Sequence, residues 1–207
     1  APAALLIGKL LVPETEVPKT GPETMIELES AYANVIEAAA TGAADGLKLA
    51  LNVGAMLLAF IALIALANGV LGWGFDQVGV EGMSHQPLQR IFGWVMAPVA
   101  WLLGVPWEEA TRVGRLLGVK TVVNEFVAYL DLAADLQSAS PLSVRSKVIA
   151  TYALCGFANF SSIGIQIGGI SGIAPLRKRD LSTLGIRAMI GGTLGAFMTA
   201  ALAGLLY

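Results

Sequence analysis

Val122-Val123-Asn124-Glu125-Phe126-Val127-Ala128-Tyr129 sets a carboxamide and a carboxylate inside an apolar run. A charge held in hydrocarbon costs several kcal/mol unless a partner, a water-filled cavity or a proton compensates it, so the stretch is a functional-site candidate. Working outward, the segment from Glu108 to Asp131 carries Arg112, Arg115 and Lys120 before it reaches Glu125. One helix running straight through lipid would bury all of them. A helical hairpin that enters and leaves on one side, with its tip near Asn124 and Glu125, avoids this, because irregular backbone is tolerated where protein or water surrounds it. The alternative is a surface helix with a solvated Glu125.

The whole chain has the composition this reading needs. It has 207 residues, 56% hydrophobic and 14% charged, with a mean hydropathy of +0.71. Soluble domains carry about 25% charged residues. The 24 glycines suit close helix packing in a bilayer. A net charge of −2 gives no electrostatic footprint for nucleic acid. Cys155 is the sole cysteine, so it has no internal disulfide partner, and it lacks the neighbours of a metal site.

Residues 1–29 read as the tail of a helix that starts upstream, followed from Pro13 by a polar connection. Residues 30–75 read as an amphipathic helix to about Lys48, lying on the membrane surface or serving as a soluble linker, and then a scaffold span from Leu49 to Phe75 ending at the interfacial Trp73. Asp76 to Gln89 reads as a loop holding the solvated His85. Residues 76–207 otherwise comprise an interfacial helix broken by Pro98, the re-entrant hairpin at about 108–136, and transmembrane helices at about 143–175 and 180–207. The first of those helices is uncharged from Val148 to Leu176, dense in Gly, and holds Asn159, Ser161, Ser162 and Gln166. That is the pattern of a discontinuous helix lining a cavity. Gly164/Gly168, Gly168/Gly172 and Gly191/Gly195 offer small-residue contacts. Arg177, Lys178, Arg179 and Arg187 form a basic loop, which the positive-inside rule makes cytoplasmic, with the C-terminus outside. The expected fold class is therefore all-α: a polytopic membrane protein with a re-entrant helical hairpin, a discontinuous transmembrane helix and interfacial helices.

No metal-ligand cluster, nucleophile elbow or phosphate loop is present, and the single histidine stands far along the chain from the polar cluster, so the expectation is not an enzyme and no cofactor. The polar groups suit recognition. Glu125 accepts hydrogen bonds, Asn159 donates and accepts, and Ser162 adds a flexible partner, so together they suit a vicinal diol such as that of ribose. Phe157 would cover the apolar face of the sugar, with Asn124 and Ser161 in support. Competing roles are helix packing for Asn159, backbone bonding for Ser161 and Ser162, and core packing for Phe157.

Val123-Asn124-Glu125-Phe126-Val127-Ala128-Tyr129 and Gly156-Phe157-Ala158-Asn159-Phe160-Ser161-Ser162-Ile163-Gly164 closely resemble the hallmark runs of concentrative nucleoside transporters. The resemblance extends to Ala1-Pro2-Ala3-Ala4, to Val12-Pro13-Glu14-Thr15-Glu16, to Pro98–Trp107 and to Ile186–Leu205, nearly the whole chain. It implies inverted repeats, a homotrimer in the cell (inner) membrane among lipids, and a transport domain moving against a scaffold in elevator fashion. It implies ribose contacts from Glu125, Asn159 and Ser162, with Phe157 lining the site, and coupling to Na+ or H+. The family's first hairpin, whose Gly-Gln-Thr-Glu-like run reads the base, is not within these residues. Neither is the unwound helix that helps to hold sodium. Base preference and coupling ion therefore stay open. The function expected is cation-coupled nucleoside symport; a non-transporting nucleoside receptor and a passive channel are the alternatives.

Overall fold

The computed structural model describes residues 2–15, 32–80 and 86–207, and within them every regular element is helical. His85 lies outside the described residues. Eight α-helices run in order: α1 (Pro2–Leu11), α2 (Val35–Val78), α3 (Pro87–Leu102), α4 (Trp107–Val122), α5 (Glu125–Leu136), α6 (Val144–Leu154), α7 (Phe160–Ile173) and α8 (Lys178–Leu205), with a short 3-10 turn at Pro175–Arg177.

α2 departs from the sequence reading. The surface helix expected up to Lys48 and the span expected from Leu49 form one 44-residue helix, about 66 Å long at the usual rise. Nothing at the junction breaks it: there is no proline, and Gly42 and Gly46 only weaken a helix. Asn34 caps its start by accepting from the Glu37 amide at 2.9 Å. Its end also lies later than expected. Asp76 to Val78 stay helical, and Gly79, at φ 71°, closes the helix in the left-handed conformation.

Among the described residues, two helices are long and apolar enough to cross a membrane on their own, through Ile61–Val78 within α2 and through Lys178–Leu205. Leu58, Leu63 and Leu66 on α2 are exposed, as lipid contact would allow. α6 and α7, with 11 and 14 residues, are each short of the roughly 20 that a span needs. The basic cluster also differs from the loop expected. Lys178, Arg179 and Arg187 lie within α8, and Arg177 pairs with Asp180 at 2.8 Å, which relieves cationic crowding at a helix N-terminus.

α4 organises the remainder, packing against α3, α5, α6 and α7. α3 folds back onto α4 with a bend of 118°. The turn between them holds Gly104 at φ 101°, a backbone conformation in which glycine is favoured. The two helices approach so closely that a β-carbon on Gly118 would fall 2.3 Å from the Phe92 β-carbon, and one on Gly114 would fall 2.6 Å from the Gly93 oxygen. The core formed here includes Val113, Leu116 and Leu117 of α4, Ile149 and Leu154 of α6, and Ala200 of α8. α8 also packs on α1, where Gly191 and Gly195 meet Leu11 and Ala4, while Gly168 of α7 meets nothing within 4 Å.

Candidate functional site

Two interruptions matter here, Val123–Asn124 between α4 and α5 and Cys155–Asn159 between α6 and α7. Both breaks restart the same way. Asn124 adopts extended backbone and its side chain accepts from the Val127 amide at 2.9 Å; Asn159 does the same with the Ser162 amide at 2.8 Å. An Asn at this position satisfies an amide that the helix cannot. At α7 the motif is a full capping box, because the Ser162 hydroxyl accepts from the Asn159 amide at 3.2 Å.

The two restarts touch. Asn159 Nδ2 donates to Glu125 Oε2 at 2.9 Å. Glu125 stands in the first turn of α5, where the helix dipole favours an anion. Ser161 Oγ donates to Asn159 Oδ1 at 2.7 Å, and Ser162 Oγ donates to the Asn159 carbonyl at 2.6 Å. Asn159, Ser161 and Ser162 are at most 2% exposed and Asn124 is also buried. The structure thus brings together five of the six residues singled out from sequence. The sixth, Phe157, lies in the break and is 47% exposed within this chain.

After these bonds, Glu125 Oε1 accepts no hydrogen bond among the described residues, and the Asn159 amide retains one hydrogen. Ser162 is less free than expected, since its hydroxyl both donates and accepts within the capping box. Its part in the geometry is to hold Asn159.

Two residues at the site escape sequence reasoning. Tyr129 of α5 donates its hydroxyl to the Thr151 carbonyl of α6 at 2.8 Å, tying the helices together beside the clasp. Lys120, in the last turn of α4, is 1% exposed, and its ammonium donates to the Ala153 carbonyl of α6 at 2.8 Å. A cation just ahead of a helix break is the only signal the sequence offers for it. Separately, a cavity of about 390 Å³ opens between α1 and α8 and includes Arg187, but none of these polar residues.

Residues 1–204 match the family described as Na+ dependent nucleoside transporter C-terminus. The chain belongs to that family. An uncharacterized transporter of Bacillus subtilis is 49% identical over 207 residues, 99% of this chain and 50% of its own length. Sodium/nucleoside cotransporter 1 of Homo sapiens is 42% identical over 220 residues, 100% of this chain and 33% of its own length. A point variant of CNTnw in an intermediate state superimposes with a TM-score of 0.87 at 46% identity, over 100% of this chain and 49% of that one. CNTnw itself in an inward-facing substrate-bound state gives 0.78 at 46% identity, over 99% of this chain and 47% of that one. The chain spans half or less of the length of these relatives. The family is one of concentrative nucleoside transporters, so the protein is a helical membrane protein and not an enzyme.

Proposed function

We propose that this chain carries the ribose-binding half of a cation-coupled nucleoside symporter in the cell (inner) membrane. The observation that carries the proposal is the 2.9 Å bond from Asn159 to Glu125, which joins the tips of two broken helices and leaves one acceptor and one donor over. A vicinal diol needs this combination. One hydroxyl donates to Glu125 Oε1 and the other accepts from Asn159 Nδ2, while Ser161 and Ser162 hold the amide in orientation. Half-exposed Phe157 covers the sugar face. In a water-poor site an analogue lacking a hydroxyl leaves one of these groups unpaired, and discrimination follows.

In this reading α4 and α5 form a re-entrant hairpin, and α6 with α7 forms one discontinuous span. α2 belongs to the scaffold, the hairpin and α6–α8 to a transport domain that moves across it in elevator fashion, and three copies assemble as a homotrimer among lipids. The named states of CNTnw, outward-facing, intermediate and inward-facing, support a carrier that moves. The family description favours Na+ as the coupling ion over H+.

The test is radiolabelled uridine uptake into vesicles containing the protein at full length, with an imposed Na+ or H+ gradient. Accumulation above the external concentration is expected; mere equilibration identifies a channel, and binding without flux identifies a receptor. Glu125→Gln and Asn159→Ala should each abolish uptake and leave membrane insertion intact. Normal uptake by both variants overturns the assigned site.

A further inference from the structure

Lys120 is the largest fully buried side chain among the described residues. Withdrawing an ammonium from water costs several kcal/mol, so its surroundings have to compensate it. Three elements do so. The Ala153 carbonyl, 2.8 Å away, sits in the last turn of α6, where helix carbonyls lack intrahelical partners and the dipole is negative. The Phe197 ring of α8 lies 5.7 Å from Nζ, within cation–π range. Glu125 of α5, bonded to Asn159 across the same α6–α7 break, adds a carboxylate whose charge favours the ammonium. Among the described residues, no carboxylate forms an ion pair with Lys120 within 4.0 Å.

The arrangement has a clear logic. Breaking α6 from α7 exposes a negative helix end, and placing Glu125 at the same junction adds a carboxylate. Both call for a cation. Lys120 delivers one covalently, from the arm of the hairpin whose tip carries Glu125. We infer that Lys120 is a positioning residue, a tethered internal cation that holds the carbonyl end of α6 and the charge of Glu125 in register so that the Glu125–Asn159 clasp is set to receive the diol. This rests on the ribose-binding reading above.

Lys120→Met keeps length and removes charge. In the full-length protein it should raise the KM for uridine by about tenfold or more, the scale of one charged hydrogen bond. It should also flatten the preference for uridine over 3′-deoxyuridine, which a purely structural defect would leave in place. A second measurement needs no substrate: thermal melting of purified wild type, Lys120→Met, Glu125→Gln and the double variant. Coupled charges predict that the double variant melts closer to wild type than Lys120→Met does, or recovers folding if Lys120→Met fails to fold. Unchanged KM and unchanged preference overturn the proposal. So do additive melting shifts, and so does a double variant that stays unfolded. Normal uridine uptake by both Glu125→Gln and Asn159→Ala would instead sink the nucleoside-site reading, and the melting cycle would still decide whether Lys120 and Glu125 are coupled.

Discussion

Asn159 uses its amide oxygen twice, accepting from the Ser161 hydroxyl and the Ser162 amide, and its amide nitrogen once toward Glu125. Two jobs therefore fall on one residue: starting α7 and holding a carboxylate. The serines beside it can be separated by mutation. Ser162→Ala removes half of the capping box and should lower stability by about 1 kcal/mol, read as a drop in melting temperature of the purified protein, with weakened uridine affinity following from a looser Asn159. Asn124→Ala should cost a similar amount, about 0.5–2 kcal/mol, because Asn124 is the matching cap of α5; no loss of melting temperature would show that the cap is dispensable. Glu125 and Asn159 stood out in the sequence because polar groups are rare in apolar runs. Lys120 did not, since it shares its segment with Arg112 and Arg115, and only its place just ahead of a helix break sets it apart in the order of residues.

At the level of elements, glycine spacing alone misdirects. The pairs visible in the sequence include Gly168, which faces open space, whereas Gly114 and Gly118 form the closest helix contact against α3. Gly118→Leu should therefore lose about 1–3 kcal/mol or more through overpacking against Phe92. Gly168→Ala should change stability by no more than about 1 kcal/mol, in the stabilising direction, because alanine is the better helix former and meets no neighbour. Equal melting temperatures for the two variants would contradict the α3–α4 packing. The helix breaks were legible from Asn, Ser and Gly density. The fusion of α2 into one helix was not, because the change from polar to apolar residues at Lys48 marks a change of solvent and carries no backbone signal.

Across the whole molecule, two polar networks fasten the hairpin far from its tip. Arg112 of α4 binds Asp135 of α5 through its Nε and Nη2 at 3.1 and 2.7 Å and reaches the Ser140 carbonyl at 2.7 Å. Glu109 of α4 accepts from the Ser143 amide at 2.8 Å, the Ser143 hydroxyl at 2.7 Å and the Ser146 hydroxyl, at the start of α6. Together they join both arms of the hairpin to α6. Asp135→Ala should cost about 1–3 kcal/mol, the worth of hydrogen bonds to a charged group, and should speed amide hydrogen exchange around residues 138–142. Unaltered exchange there would mean that α6 and the core hold the hairpin base without Arg112. By itself, the sequence determined the lipid-facing helical class, the two polar interruptions ahead of α5 and α7, and the polar residues at them, because hydropathy, caps and breakers act between near neighbours in the chain. Only the tertiary structure decided that Glu125 meets Asn159, that Lys120 closes α6, and that α3 folds onto the glycines of α4. Those contacts join residues more than twenty positions apart, and their pairing depends on how whole helices pack.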